Sequence, residues 1–277
     1  VDIDDEILGC NKPAELVILA DVRTFLGQLL AALPVRGPKD SLEEREAFLA
    51  RIREEKEKHN RELEKAFQED IDPMNSAHVP NVCRETFEDD AIVVLDGGNT
   101  AVWGNFYHQV RVPNTVLSTW KFGMLGAGVA QAMGAAAAFP ERQVCCIIGD
   151  GAMGFHAQEV ETAVRNGFKP VFLVLCDRQW GMVKMSQEFA LSQTLPSYGP
   201  EDIVNADFSE IRFDRLAESM GAHGERVSRS ADLAPAIQRS LDSGRCAVIH
   251  VDVNPVKHMW APGLMQFKEM HLEPAGE

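Results

Sequence analysis

Short apolar runs alternate with segments of helical spacing over most of the chain, from about residue 74 onward. The runs that predict strands are residues 91–95, 115–117, 143–148, 171–175 and 247–251. The intervening segments that predict helices are residues 126–138, 158–166, 208–220 and 230–243. Continuous apolar strands separated by helices are typical of a parallel sheet with helices on both faces. The pattern therefore predicts an α/β fold whose ligand site lies at the carboxyl ends of the strands.

The first 73 residues follow a different pattern. Residues 15–20 predict a short strand, and residues 22–33 predict a helix that ends at Pro34. Residues 41–70 begin with a capping-box pattern, Ser41 and Glu44, and carry alternating charges with few apolar positions, which predicts a long solvated helix. The prediction is a tail of one domain over 1–36, a charged linker helix over 37–73, and a complete domain over 74–277.

Composition narrows the functional classes. The 277 residues allow one large domain or two modest ones, at roughly 100–200 residues per domain. There are 42 acidic and 27 basic residues, and the resulting charge of −15 repels polyphosphate, which argues against broad nucleic-acid binding. No apolar run reaches the ~18–20 residues of a membrane-spanning helix.

The six cysteines contain no Cys-x-x-Cys pattern, and the adjacent Cys145 and Cys146 would point to opposite faces of a strand. This usage indicates reduced, buried thiols and a cytoplasmic protein. Cys176 has neither a second sulfur nor a nearby histidine in sequence, which argues against zinc. Because the chain starts at Val1 and not at a methionine, we expect it to be part of a longer polypeptide.

The chemistry is concentrated where two predicted strands end. Gly149-Asp150-Gly151-Ala152 follows one strand, and its glycines allow a sharp turn with amides free for phosphate oxygens. Asp177 follows the next strand after one helical crossover, so both acids belong at the same edge of the sheet, ~4.8 Å apart if the strands are neighbours. Two carboxylates beside a phosphate suit Mg²⁺, so the sequence predicts a metal-bridged phosphate ligand.

This arrangement resembles the thiamine-diphosphate-binding signature, in which Gly-Asp-Gly is followed, one helix and one strand later, by Asn-Asn or Asn-Asp. Residues 91–181 are similar to the C-terminal diphosphate-binding domain of the acetolactate synthase and pyruvate decarboxylase family. The resemblance implies the thiamine-diphosphate-binding fold, preceded by the tail of a Rossmann-like central domain. It also implies Mg²⁺ and thiamine diphosphate as cofactors, 2-oxo acids as substrates, and lyase or carboligase chemistry. FAD, which some members bind in the central domain, has no site assigned in this chain.

The resemblance assigns metal ligands and diphosphate contacts to named positions. Asp150, Asp177 and the backbone carbonyl of Gln179 would bind the metal, and the amides of Gly151 and Ala152 would face the diphosphate.

Two loops further upstream receive roles from the same resemblance. Asn99 follows Asp96-Gly97-Gly98 and would contact the diphosphate, the alternative being an ordinary helix N-cap. In Gly123-Met124-Leu125, the Gly123 carbonyl would accept from the aminopyrimidine, and Leu125 would support the bend of thiamine. Simple core packing is the alternative for Leu125.

Two departures from the family pattern bear on the activity. Cys176 stands where the family has asparagine, and residues 181–183 (Gly-Met-Val) run into Lys184-Met185 where acetolactate synthases continue into Gln-Trp. The activating glutamate belongs to the pyrimidine-binding domain of a partner subunit, and no glutamate here matches it. A homodimer or homotetramer is therefore expected.

Two alternatives to this enzyme remain open. One is a catalytically inactive homologue that only binds the cofactor. The other is a dinucleotide-dependent oxidoreductase, because Gly126-Ala127-Gly128 opens a predicted helix and Asp150 follows a strand downstream. Three single residues and one short segment could face the site or serve structure only: His156, Glu159, Glu161 and residues 180–183.

Overall fold

The computed structural model of the chain describes residues 1–10, 13–33, 40–118 and 122–264, of which residues 40 and 41 are described by backbone alone. The chain divides into two units, Val1–Asn60 and Arg61–Glu277. In chain order the elements are α1 Val22–Ala32, α2 Asp40–Glu64, α3 His78–Thr86, β1 Ile92–Asp96, α4 Asn99–Tyr107, β2 Val116–Ser118, α5 Ala127–Ala138, β3 Val144–Gly149, α6 Asp150–His156, α7 Glu159–Asn166, β4 Val171–Cys176, α8 Gly181–Thr194, α9 Phe213–Ser219, β5 His223–Val227, α10 Ser230–Asp242, β6 Ala247–Asp252 and α11 Pro255–Met259.

The first unit contains α1 and most of α2. Asp21 caps α1 by accepting the Thr24 N–H at 2.9 Å, but none of the residues of α1 is buried. The predicted strand over 15–20 is wrong, because this segment forms only an isolated bridge between Leu19 and Asp2. The helix predicted over 41–70 is present but shorter: α2 runs from Asp40 to Glu64, a 3₁₀ turn follows over Lys65–Gln68, and residues 69 and 70 are not helical.

The second unit is built on a six-stranded sheet with the order β2-β1-β3-β4-β6-β5, and every neighbouring pair is parallel. The five strands predicted in this region are all present. The sixth, β5, was missed because four of its five residues are only half-buried and it carries His223, Glu225 and Arg226 at the edge of the sheet. The predicted α/β class is confirmed.

Alternate residues of the strands face two separate layers of helices. Val94, Cys146 and Phe172 pack in one layer, with side chains from α5, α7 and α9. Cys145 and Leu173 pack in the other, with side chains from α3 and α10. The prediction that Cys145 and Cys146 face opposite sides is therefore confirmed.

Helix boundaries near the loops differ from the sequence prediction. A loop was expected after Gly149, but α6 begins directly at Asp150. The predicted helix over 208–220 starts only at Phe213, because the preceding residues pair with the loop after β4 through a bridge between Asp207 and Gln179. Within the described ranges, no helix combines the length and apolarity needed to cross a membrane.

The strand order reverses direction between β1 and β3. The chain moves from β1 to one side of the sheet to form β2, then returns past β1 to form β3 and continues to β4 on the other side. A crevice forms outside the carboxyl ends of the strands at such a reversal, and ligands of open α/β sheets bind there.

Candidate functional site

A cavity of about 720 Å³ lies at the carboxyl ends of β1, β3 and β4. The helices α4, α6 and α8 that follow these strands, together with the short loops before α4 and α8, contribute most of its lining. Eight of the nine residues predicted from the sequence line it, namely Asn99, Gly123, Leu125, Asp150, Gly151, Ala152, Asp177 and Gln179. The ninth, Met124, is half exposed and is not among the lining residues. His156, Glu159 and Glu161 also lie outside the lining.

The two predicted acids follow adjacent strands, as the crossover argument requires. β3 and β4 pair in register up to Gly149 and Leu175, so Asp150 and Asp177 emerge side by side. Asp150 Oδ1 accepts the Gly151 N–H at 2.7 Å, and its Oδ2 accepts the Arg178 N–H at 2.8 Å. Both carboxyl groups are buried, at 4% and 8% exposure.

Burial disfavours the charged form of both acids. Burial raises the pKa of Asp150, and the nearby Asp177 carboxylate raises it further. Burial likewise raises the pKa of Asp177, although Gln179 Nε2 donates to its Oδ2 at 3.1 Å. A divalent cation between these oxygens would remove the mutual repulsion, so the donor set fits Mg²⁺.

The backbone pairing of its loop does not use the Gln179 carbonyl, which the family resemblance predicts as a third oxygen donor to the metal. The Trp180 N–H donates to the Ala206 carbonyl at 2.7 Å, and the Phe208 N–H donates to the Arg178 carbonyl at 3.1 Å. Neither of these bonds uses the carbonyl of Gln179, whose side chain is anchored on the Pro255 carbonyl at 2.9 Å. These three hydrogen bonds fix the loop, and none of them uses the backbone carbonyl of Gln179.

A charged cluster supports the loop from outside the cavity. Arg178 has a left-handed φ of 59°, and its guanidinium pairs with Glu210 at 2.9 Å. Arg226 donates to both oxygens of Asp252, at 2.6 and 2.8 Å, and also to Glu210. Burial opposes ionisation of Asp252, but hydrogen bonds from His250 and Arg226 hold its pKa well below the usual range. Glu210, His250 and Asp252 lie close enough together to share a cation, but the arginines already neutralise the two acids.

Cys176, which replaces the asparagine of the family pattern, belongs to the buried core and not to the cavity lining. Its Sγ lies 3.4 Å from His250 Nδ1. Burial raises the pKa of the thiol well above its ordinary value, so it stays protonated and is not a metal-binding thiolate.

At the end of β1, the Asp96 carboxylate joins the loop after β1 to the first turn of α5. Its Oδ1 accepts the Gly97 N–H at 2.6 Å, and its Oδ2 accepts the Gly128 N–H at 2.7 Å. A Cβ on Gly128 would lie 2.5 Å from the Asp96 Cβ, so only glycine allows this approach. The sequence analysis names Asp96 only as part of the segment before Asn99. An acid directly before two glycines was the one sequence feature that could have indicated its role as a backbone N–H acceptor.

Asn99 is the first residue of α4, and Gly98 occupies the N-cap position, so the N-cap alternative is wrong. Its Nδ2 donates to the Met259 carbonyl at 3.2 Å. Its Oδ1 is buried and has no hydrogen-bond partner among the described residues. An unsatisfied buried acceptor of this kind suits a bound cation, a water or a ligand N–H, which again fits an occupied site.

Two lining residues depend on distant contacts: His258, which the sequence analysis missed, and Trp180, for which it left open either lining the pocket or packing in a helix. His258 lies in α11, with Nδ1 2.7 Å from Ser76 Oγ and Nε2 3.2 Å from Thr100 Oγ1. Burial lowers its pKa to about 3, so the ring is neutral. Trp180 packs between Phe155 and Phe208, with ring centroids 5.9 and 5.5 Å away.

Binding of Mg²⁺ should weaken as the pH falls from about 8 to about 5.5, a range well above the ordinary carboxyl pKa. The raised pKa values mean that protons compete with the metal for Asp150 and Asp177 in this range. Without metal, protonation of Asp150 and Asp177 stabilises the folded protein at low pH. That contribution to the free energy of unfolding is lost as the pH rises through the raised pKa values of the two acids. Thermal unfolding with MgCl₂ alone should therefore show a stabilisation that grows with pH, and a stabilisation independent of pH would contradict this.

Comparison with known proteins adds a family match to this geometry. The profile described as thiamine pyrophosphate enzyme, C-terminal TPP binding domain, matches residues 96–251. A probable acetolactate synthase of Mycobacterium bovis is 34% identical over 196 residues, which are 70% of this chain and 34% of that protein. The 2-hydroxyacyl-CoA lyase 2 of Mus musculus is 30% identical over 230 residues, which are 82% of this chain and 34% of that protein.

A solved structure shares the fold. The thiamine diphosphate-dependent 4-hydroxybenzoylformate decarboxylase of Rhodococcus jostii superposes with a TM-score of 0.59 at 24% identity, covering 66% of this chain and 33% of the other. The chain thus spans about a third of the length of each of these relatives.

Proposed function

The chain belongs to the thiamine pyrophosphate enzyme family through its C-terminal cofactor-binding domain, and on that premise we propose that it is part of a Mg²⁺- and thiamine-diphosphate-dependent lyase or carboligase acting on 2-oxo acids. The observation that carries this proposal is the buried acid pair, Asp150 and Asp177, at the ends of two adjacent strands in one large cavity. Such a pair favours a divalent cation, and a cation there would hold an anionic cofactor.

The residues divide the work of binding between the two sides of the cavity. Asp150, Asp177 and the Gln179 carbonyl would hold Mg²⁺, and the Gly151 and Ala152 amides would face the diphosphate. Asn99 would also contact the diphosphate, and Gly123 and Leu125 would hold the thiamine portion. Apolar lining residues such as Val102, Met182 and Leu264 would exclude water from the reacting end.

Bound thiamine diphosphate supplies the electron sink that decarboxylation of a 2-oxo acid requires. This chain would contribute the orientation of that group: Asp150, Asp177 and the Gln179 carbonyl would hold the diphosphate end through the metal, and Leu125 would support the thiamine end. We place the activating glutamate in the pyrimidine-binding domain of a partner subunit. A complete site then needs two subunits, which fits a homodimer or a homotetramer. Five of the six free cysteines are buried, which supports a cytoplasmic location.

The activities for which these relatives are named support this class of reaction without selecting one member of it. They include an acetolactate synthase, a 2-hydroxyacyl-CoA lyase and a decarboxylase. The dinucleotide alternative would place phosphate against residues 126–128, but there the Gly128 N–H already donates to Asp96 Oδ2. That bond disfavours a dinucleotide at this helix.

The test uses the complete protein, with any domains that adjoin these residues. We expect saturable thiamine diphosphate binding by calorimetry only when Mg²⁺ is present, and CO₂ release when pyruvate or a bulkier 2-oxo acid is added. Binding without CO₂ release from any 2-oxo acid would favour the inactive cofactor-binding homologue. Absence of Mg²⁺-dependent binding, or saturable binding of NADH instead, would contradict the proposal.

A further inference from the structure

The N-terminus of α5 lacks a capping side chain of its own. Its N-cap is Gly126, which has a left-handed φ of 88° and offers no side-chain acceptor, and its first turn contains no acidic residue. The first N–H groups of a helix have no partner within the helix, and the cost of leaving them unpaired rises when they are buried. Gly128 is buried, so its N–H needs an acceptor from elsewhere in the fold.

Asp96, at the end of β1, supplies that acceptor from another element. Its Oδ2 takes the Gly128 N–H at 2.7 Å, and its Oδ1 takes the N–H of Gly97. The carboxyl group is 2% exposed, and no lysine or arginine among the described residues forms an ion pair with it. Burial raises its pKa, while backbone N–H groups of Gly128, Gly97 and Gly126 oppose the shift. The helix end therefore provides the main compensation for this charge.

The capped helix end fixes a loop of the cavity. Residues 123–126 lead directly into α5, and both Gly123 and Leu125 line the cavity. On its other side, a Cβ at Gly126 would lie 2.8 Å from the Phe155 Cβ and 3.1 Å from the Ala152 carbonyl, so the loop is also packed against α6. The position of the loop thus depends on Asp96 on one side and on α6 on the other.

We propose that Asp96 is a positioning residue that caps α5 from β1 and thereby holds residues 123–126 in place for the thiamine end of the cofactor. The inference rests on the proposed function, because that function assigns the thiamine end to Gly123 and Leu125. It goes further by separating the cavity into two halves. Asp96 is assigned to the thiamine half, and the metal half is assigned to Asp150 and Asp177, neither of which is a hydrogen-bond partner of Asp96 among the described residues.

Two variants perturb this contact in different ways. Asp96→Asn keeps the shape of the side chain but removes the charge and leaves one of its two N–H partners facing an amide NH₂. Gly128→Ala keeps Asp96 but places a methyl group 2.5 Å from its Cβ, which pushes the helix end away. Each has a matched control. Gly134→Ala lies in the same helix with nothing within 4 Å of the added methyl group, and Asp214→Asn changes another buried aspartate, at 5% exposure, in α9.

The readout compares two probes on the complete protein in the presence of Mg²⁺: thiamine diphosphate and inorganic diphosphate. Both variants should weaken thiamine diphosphate binding by about ten- to a hundredfold, the range for a lost charge-assisted hydrogen bond, while diphosphate binding changes by less than about threefold. Both control variants should bind both probes like the wild type. Hydrogen–deuterium exchange should accelerate in residues 123–130 of Asp96→Asn but not in β3 or β4.

The outcomes separate this proposal from the proposed function. Equal weakening of both probes would show that Asp96 supports the whole cavity and would overturn the assignment, as would unchanged binding in both variants. If the wild-type protein binds neither probe with Mg²⁺, the proposed function itself fails. Where Asp96→Asn is too unstable to measure, Gly128→Ala gives the same comparison with the carboxylate intact.

Discussion

Replacing Asp150 with asparagine should reduce Mg²⁺-dependent thiamine diphosphate binding by at least about a hundredfold, because loss of a group that merely supports a metal ligand already costs 10–100-fold. Both oxygens of Asp150 are engaged, since they accept the N–H groups of Gly151 and Arg178. An asparagine has one acceptor oxygen, so its NH₂ would face one of these donors. The substitution therefore removes the negative charge, and it also removes one of the two hydrogen bonds that orient the side chain toward the metal. Calorimetric titration of the complete protein with thiamine diphosphate, with and without Mg²⁺, measures the effect.

Two further variants set the scale for this loss. Asp177→Asn keeps a side-chain oxygen at the second ligand position, so we expect a smaller reduction, of about tenfold. Glu161→Gln removes an exposed acid that pairs with Arg165 on α7, outside the cavity, and should bind like the wild type. If Asp150→Asn bound the cofactor as tightly as Glu161→Gln does, the assignment of the metal site would be wrong.

Gly151→Ala should lower both stability and cofactor affinity. The added Cβ would lie 2.5 Å from the Trp180 ring, and that ring is held between Phe155 and Phe208. Because the ring cannot move without displacing two other aromatic side chains, overpacking of about 1–3 kcal/mol is expected. Trp180 also lines the cavity, so its displacement reaches the cofactor site.

Gly154→Ala is the matched control, since it lies three residues further along α6 with nothing within 4 Å of the added methyl group. Alanine in place of glycine in a helix should stabilise the protein by roughly 0.5–1 kcal/mol. Thermal unfolding with and without Mg²⁺ and thiamine diphosphate should therefore move the two variants in opposite directions. Equal unfolding midpoints for Gly151→Ala and Gly154→Ala would show that the Trp180 ring moves aside without a cost in stability.

The acid pair could be predicted from the sequence because its position depends only on features close together in the chain. Apolar runs located β3 and β4, and one helix between them required a parallel crossover, which brings Asp150 beside Asp177. The assignments that came through the family resemblance, such as Gly123 and Leu125, also lie at the cavity. Their individual roles toward the cofactor stay predictions.

The remaining features could not be predicted because they depend on tertiary contacts. His258 reaches the cavity by packing against Ser76 and Thr100, which are 182 and 158 residues away in sequence. β5, at a sheet edge, has the sequence His-Gly-Glu-Arg-Val, so it carries no apolar run to detect. The helical conformation of residues 150–156 was hidden by two glycines in its first five residues, which favoured a loop from local preference alone.

The pairing of the strands also has a consequence for how the chain folds. Cys145 pairs with Val171, 26 residues later, whereas Ile92 pairs with Val144, 52 residues later. Closing a loop of twice the length costs only about 0.6 kcal/mol more entropy, so docking of β1 is barely less favourable than pairing of β3 with β4. The metal donors come from the shorter connection, and Asp96 comes from the longer one. Loop-closure entropy therefore gives the metal donors almost no advantage over Asp96, and the two halves of the cavity are assembled at nearly equal entropic cost.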